Sequence, residues 1–243
     1  MSDLTSPLSP DQAERSSTPQ LITQLEAEGL WIFMKPARWL SHPDGSERPD
    51  LISWARGLER APKGLTLVHR LDYGTSGLLC CASDPEGAAR WGGRWASGQV
   101  AKRYLALAEG KLSAKGTISR PLKDGRRGKS LKAKTRFHRL LQLKGCALLE
   151  VMIEQGRKHQ IRRHLQGIGS GVVGDRRYPP HRRTPLRGAP DRLWLHASAL
   201  TLPIGPEGLT ITAPLPSELR AHVESIVEPE ELSSLRTALS GLT

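Results

Sequence analysis

The chain has little cysteine: three residues in 243, namely Cys80, Cys81 and Cys146, with no Cys-x-x-Cys pair. That excludes a zinc ribbon. An odd, sparse set of thiols suits a reducing compartment better than a disulfide framework. No long apolar run is present, which excludes an ordinary membrane-spanning helix. The first 20 residues are polar and rich in Ser, Pro and Asp. They lack the basic-then-apolar layout of a secretory signal, so a cytoplasmic protein is expected. HExxH is absent too. His159 and His164 lie five apart and would stand about 140° from each other on a helix, which is poor chelate geometry. No metal site is expected, and no internal repeat is visible.

Acidic residues are scarce in one place. From Arg120 to Arg187 there are 19 Lys and Arg but only 4 Asp and Glu, while the rest of the chain is slightly acidic; the whole carries a net charge of +12. A positive field confined to one segment attracts a polyanion, most commonly nucleic acid. Lys123, Arg126, Arg127, Lys129, Lys132 and Lys134 are candidates for backbone phosphates, which set register without reading sequence. A solvated basic loop is the plainer reading of the same residues.

The length allows one well-cored domain with tails. Residues 1–22 read as a disordered tail, 23–225 as the folded domain and 226–243 as an acidic, peripheral C-terminal tail. Leu30–Phe33 and Lys102–Ala108 have the apolar or alternating pattern of strands, as do Leu193–Leu202 and Leu209–Thr212. Cys80 and Cys81 fall in another such strand, where neighbouring side chains face opposite ways. Thr135–Leu143 and Ala147–Ile153 suggest a hairpin. Asp50 reads as the N-cap of a helix to Leu58, and Asp84-Pro85 as the start of another reaching about Trp95. Lys158–Gln166 and Pro216–Val223 also look helical, and Arg120–Ser130 reads as a loop. Strands outnumber helices and are often joined by hairpins. The expected class is α+β, a mixed and largely antiparallel sheet flanked by helices and loops.

Within this frame one stretch concentrates chemistry: His69-Arg70-Leu71-Asp72-Tyr73-Gly74-Thr75-Ser76-Gly77. It lies between two apolar runs, Leu65–Val68 and Leu78–Ala82, so Asp72 is placed at a strand end on a well-supported loop. From the residues alone, Asp72 either caps the turn at Thr75-Ser76 or serves as a reactive carboxylate.

This stretch resembles the HRLDxxTSG signature of the RluA-like pseudouridine synthases, within the RsuA/RluA superfamily. Further matches follow in the family's order. They are Lys35-Pro36 with His42-Pro43, Lys102-Arg103-Tyr104, Gly156-Arg157-Lys158-His159-Gln160-Ile161-Arg162, Gly174-Asp175 with Tyr178, and Leu195-His196-Ala197. Together they run from about residue 30 to 205. The resemblance implies an isomerase that converts a uridine in tRNA or rRNA to pseudouridine, needs no cofactor or metal, and acts on a base flipped out of the RNA. It makes Asp72 the catalytic carboxylate, Arg162 its cationic partner with Arg163 as a neighbouring alternative, and Tyr104 a catalytic ring that stacks on uracil or gives or takes a proton late in the reaction. Arg70 enters the RNA stack or pairs with Asp72. His69, Thr75, Ser76, Arg157, Lys158, His159, Gln160 and Arg163 would contact RNA or hold the site, and Ile161 and Leu195 would line the base pocket.

Met34, Arg38-Trp39 and Gly171 depart from the usual pattern without removing a chemical group. Lys158 with Arg163 resembles the tRNA-modifying TruC-like branch. The N-terminal segment is too short and polar for the S4 domain that many relatives carry, and a monomer is expected. A non-catalytic RNA-binding or ribosome-assembly factor on the same scaffold is the competing reading. A glycosidase would need a second carboxylate near Asp72, and none stands out.

Overall fold

The computed structural model describes residues 18–124, 128–179, 186 and 188–240. In chain order the elements are β1 (Gln20–Leu25), β2 (Leu30–Lys35), α1 (Leu51–Arg56), β3 (Thr66–Leu67), β4 (Ser76–Ala82), α2 (Pro85–Ala96), β5 (Ala101–Glu109) and β6 (Lys115–Ile118). They continue with β7 (Leu122–Lys123), β8 (Ser130–Leu131), β9 (Thr135–Leu143), β10 (Cys146–Ile153), α3 (Gln160–Gly167), β11 (Leu195–Leu202), β12 (Leu209–Thr212), α4 (Ser217–Ile226) and α5 (Leu232–Ser240). Among the described residues, one ten-stranded sheet runs β1-β2-β4-β11-β5-β10-β9-β6, with β3 added to β4 and β12 to β11. Only β4 and β11 pair in parallel, so the expected mixed, largely antiparallel class is what forms.

Local chemistry explains the helix starts. The Asp50 carboxylate accepts from the Ser53 N–H at 2.9 Å, and that of Asp84 from the Gly87 N–H at 2.7 Å. Each satisfies a backbone donor that the first helical turn leaves free. The sheet then separates two apolar clusters. Cys81 packs with Phe33, Leu51, Leu107 and Leu148 on one side, and Cys80 with Ile32, Leu78, Trp91 and Leu200 on the other, as a period of two requires.

The parallel seam depends on glycine. Gly77 has φ 119°, and a Cβ there would lie 2.3 Å from the Ala197 carbonyl oxygen. Without a side chain, β4 and β11 approach closely enough to pair, which brings the Asp72 loop beside Leu195.

Four expectations need correction. The tail assigned to residues 1–22 already contains the start of β1, an edge strand in which Leu21 and Ile22 stay exposed and no alternating buried pattern forms. The tail assigned to 226–243 contains α5, where Leu235 and Leu239 are buried against the main cluster. Their i, i+4 spacing gives that helix an apolar stripe. The loop at Arg120–Ser130 contains β7 and β8, paired Leu122 to Leu131 and Lys123 to Ser130; two-residue strands are too short to show periodicity. The helix expected from Lys158 begins at Gln160, because His159 sits in the left-handed region with φ 54°.

Candidate active site

The Asp72 loop is held by its neighbours' backbones. Ser41 Oγ accepts from the Leu71 N–H and donates to the Leu71 carbonyl, both at 3.0 Å. The Thr75 N–H closes a turn on the Asp72 carbonyl at 3.0 Å. The turn is thus closed by the Asp72 backbone and not by its side chain, and the carboxylate faces a cavity.

That cavity has a volume of about 410 Å³ and is lined by Asp72, Tyr104, His159, Ile161, Arg162 and Leu195, among others. Arg70 stands at its rim, exposed and without an ion pair among the described residues. It leaves Asp72 to Arg162, whose Nη1 donates to Asp72 Oδ2 at 3.1 Å. Arg162 is itself fixed from behind. Its Nε and Nη2 donate to the two oxygens of Asp175 at 2.6 and 2.9 Å, a planar fork meeting a planar carboxylate.

Burial pushes the Asp175 carboxyl up, but hydrogen bonds from Arg162 and from the Tyr178 and Arg177 backbones outweigh it and hold the group below its usual value. Burial likewise works against the charge on Arg162, and Asp175 and Asp72 reverse the balance, raising its pKa. Arg162 therefore stays charged, facing Asp72. Glycine sets this turn as well: Gly174 has φ 76°, and a Cβ there would meet the Arg192 carbonyl oxygen at 2.0 Å.

Tyr104, on β5, is almost fully buried, and burial, reinforced by the Asp72 charge, pushes its phenol pKa well up. It offers the cavity a protonated aromatic ring. Ile161 and Leu195 form apolar wall. His159 donates or accepts through Nδ1 with Tyr178 Oη at 3.1 Å, and its Nε2 lies 3.7 Å from Asp72 Oδ1.

Several of the residues expected to contact RNA or hold the site turn inward. His69 Nε2 accepts from the Cys80 N–H at 3.0 Å and its ring stacks on Trp95, with burial bringing its pKa to about 3. It extends the β3–β4 pairing and does not line the cavity. Ser76 is buried, accepts from Arg192 at 2.7 Å and bonds His196 Nδ1 at 2.9 Å. Burial also brings His196 to about 3. Gln160 lines the cavity, but its amide donates to the Lys134 carbonyl and Thr135 Oγ1 while accepting from the Arg157 N–H. Thr75 is buried in the wall. Arg157 and Lys158 are exposed at the rim, and Arg163 lies off the cavity.

Of the basic loop, Lys123, Lys129 and Lys132 are exposed and Lys134 is paired with Glu154 at 3.2 Å; Arg126 and Arg127 lie outside the described residues. Among the described residues no group of three or more His, Cys, Asp or Glu could hold a metal ion, and no helix is long and apolar enough to cross a membrane.

Reasoning from sequence gave no role to Asp175, Tyr178, Ser41 or Lys35. Lys35 is fully buried and donates to the Pro36 and Trp39 carbonyls at 2.8 Å each, and burial, with Arg192 nearby, lowers its pKa to about 7. Asp175, Tyr178 and Lys35 did lie within matched family segments, the one usable signal.

Residues 29–167, more than half of the chain, match the family model described as RNA pseudouridylate synthase. The chain belongs to this family. An RNA pseudouridine synthase of Chloroflexus aurantiacus is 35% identical over 210 residues, covering 76% of this chain and 63% of its own length. The ribosomal large subunit pseudouridine synthase D of Nitrosomonas europaea is 32% identical over 241 residues, covering 89% of this chain and 68% of its own. The chain thus spans about two thirds of the length of these relatives. The solved human RNA Pseudouridylate Synthase Domain Containing 4 superposes with a TM-score of 0.71 at 23% identity, covering 85% of this chain and 92% of its own, a likeness of fold. Family membership and fold agree with the RluA-like resemblance of the motifs.

Proposed function

We propose that this pseudouridine synthase chain isomerises a specific uridine in structured RNA to pseudouridine, with Asp72 as the catalytic carboxylate. The observation that carries the reading is the Asp72–Arg162 pair, open to the cavity on one side and braced by Asp175 on the other. The reaction exchanges the N1–C1′ bond for a C5–C1′ bond within one nucleotide. As nucleophile at the sugar or as base, Asp72 must be ionised, and a charged guanidinium at 3.1 Å supports that state. The detached uracil must turn without escaping, and Tyr104, Ile161 and Leu195 supply one ring and two aliphatic surfaces to hold it.

A uridine within folded RNA must first leave its stack. Arg70, planar and exposed at the rim, suits the vacated place. Lys123, Lys129, Lys132, Arg157 and Lys158 take the phosphates. The relatives named for the large ribosomal subunit favour rRNA as the first substrate to assay. The Lys158 and Arg163 variant makes tRNA the second.

The test is to map pseudouridine in both RNA classes from cells with and without the protein. One site should vanish on deletion, return with the parent gene, and fail to return with Asp72→Asn. Restoration by Asp72→Asn would refute the assignment.

A further inference from the structure

The geometry points to His159 as the base that takes the C5 proton from the rejoined uracil, with Tyr178 as the residue that orients it. This rests on the isomerase reading and assigns to His159 a proton transfer for which Tyr104 is the rival.

His159 is one of two non-glycine residues with positive φ among those described, the other being Arg38. Such a conformation is costly for a side chain-bearing residue, and marks positions where the surrounding structure imposes it. Its effect is to turn the imidazole off the helix and into the cavity. There its Nδ1 meets Tyr178 Oη at 3.1 Å, the two rings meet edge to face with centroids 5.5 Å apart, and Nε2 lies 3.7 Å from Asp72 Oδ1. A reactive nitrogen beside the catalytic carboxylate, with the other nitrogen tied to an orienting group, is the arrangement general base catalysis requires.

Its charged surroundings favour the neutral ring. Burial lowers the imidazole pKa most. Asp72 opposes this, while Arg162, Arg177 and Lys158 add to the lowering, and the pKa stays below its ordinary value. In the tautomer whose Nδ1–H donates to Tyr178, the Nε2 lone pair is left for the cavity. Tyr104 is a poorer base, since its raised phenol pKa keeps the proton on.

The step balances without a co-reactant. When C5 bonds to C1′, the ring holds a C6=N1 double bond and C5 still carries its hydrogen. The proton passes to His159 Nε2, the C5–H electron pair forms the C5=C6 bond, and the C6=N1 pair moves to N1, which takes a proton from water. The imidazolium returns its proton to solvent. By then Asp72 is again a free carboxylate, and its charge steadies the imidazolium 3.7 Å away.

The test uses the full chain and an in vitro transcript spanning the mapped uridine, made with uridine, with C5-deuterated uridine or with 5-fluorouridine. Fluorine does not leave as a cation, so the 5-fluorouridine reaction stops at the C5-linked adduct, before the proposed step. The variant is His159→Asn, because asparagine tolerates the left-handed region. Uridine conversion should fall by about 10²–10⁴-fold, while the adduct forms within about threefold of the parental rate. A deuterium isotope effect absent from the parent should emerge. Tyr178→Phe, which keeps the imidazole, should show the same pattern with a smaller loss. Equal losses in both reactions by both variants, or no loss in either, would overturn the proposal. A parent that yields neither product overturns the isomerase reading, and this inference with it.

Discussion

Two carboxylates, on the Asp72 loop and on the Gly174–Tyr178 turn, share one guanidinium, and their settings differ in every respect that matters. Asp175 is fully enclosed, meets Arg162 through both oxygens and accepts two backbone N–H groups at 2.9 Å. Asp72 keeps a quarter of its side chain exposed and meets Arg162 through one oxygen at 3.1 Å. A saturated carboxylate has no lone pair left for substrate, whereas a singly held one does. The pair shows how one arginine is fixed by one acid so that it can serve another.

The sharpest break of that contrast is Asp72→Asn. It should abolish pseudouridine formation, read by mass spectrometry of the RNA, and leave thermal stability within about 0.5 kcal/mol of the parent, as expected for a part-exposed group. A large loss of stability would erase the distinction between the two acids. Next comes Asp175→Ala, which strands Arg162 without its main partner. Removing one member of a buried pair costs about 3–5 kcal/mol, so its urea midpoint should fall markedly, with activity falling at temperatures where it is still folded. Unchanged stability would mean that Arg162 is braced by something else.

Acid titration sharpens the contrast further. Asp175 has a folded pKa below its unfolded value, so its stabilisation is present above the unfolded pKa and is lost as pH falls through the folded one. The loss lies below about pH 4. His69 and His196 are buried neutral with pKa values of about 3, below the ordinary imidazole value. The unfolded state therefore binds more protons from about pH 6.5 downwards, and stability declines across that window too. In Asp175→Asn the decline through pH 6.5 to 4 should persist and only the part below about pH 4 should flatten. Flattening across the whole range would assign the acid sensitivity to Asp175 alone.

The smallest effect concerns the outer surface. Lys129→Gln should weaken RNA binding modestly and reduce the salt slope of the affinity by about one unit, with turnover of bound RNA unchanged. An unchanged slope would remove the β7–β8 hairpin from the binding surface.

Much of the site was legible because its residues sit in contiguous motifs. Asp72 follows a strand and precedes Thr75-Ser76-Gly77, and Arg162 lies in a segment matched at every fixed position. Asp50 and Asp84 announced their helices because a cap is a local hydrogen bond. What escaped was set by tertiary contact. Asp175 is 13 residues from Arg162 and 103 from Asp72, and nothing local says which arginine it will face. His69 and Ser76 belong to the same motif as Asp72, yet they turn inward to Cys80 and His196, because a motif records which residues are kept and not which way each one points. The left-handed turn at His159 has no local signal, since neither glycine nor asparagine stands there.

The parallel seam at Gly77 carries a consequence for biosynthesis. One wall of the reaction chamber comes from β11, the eleventh strand of twelve in chain order, and the remainder from earlier segments lying between Arg70 and Arg162. A ribosome-bound nascent chain therefore carries Asp72 long before it carries Leu195. Until β11 is made, β4 lacks its parallel neighbour and the cavity beside Asp72 stays open on the side that Leu195 closes.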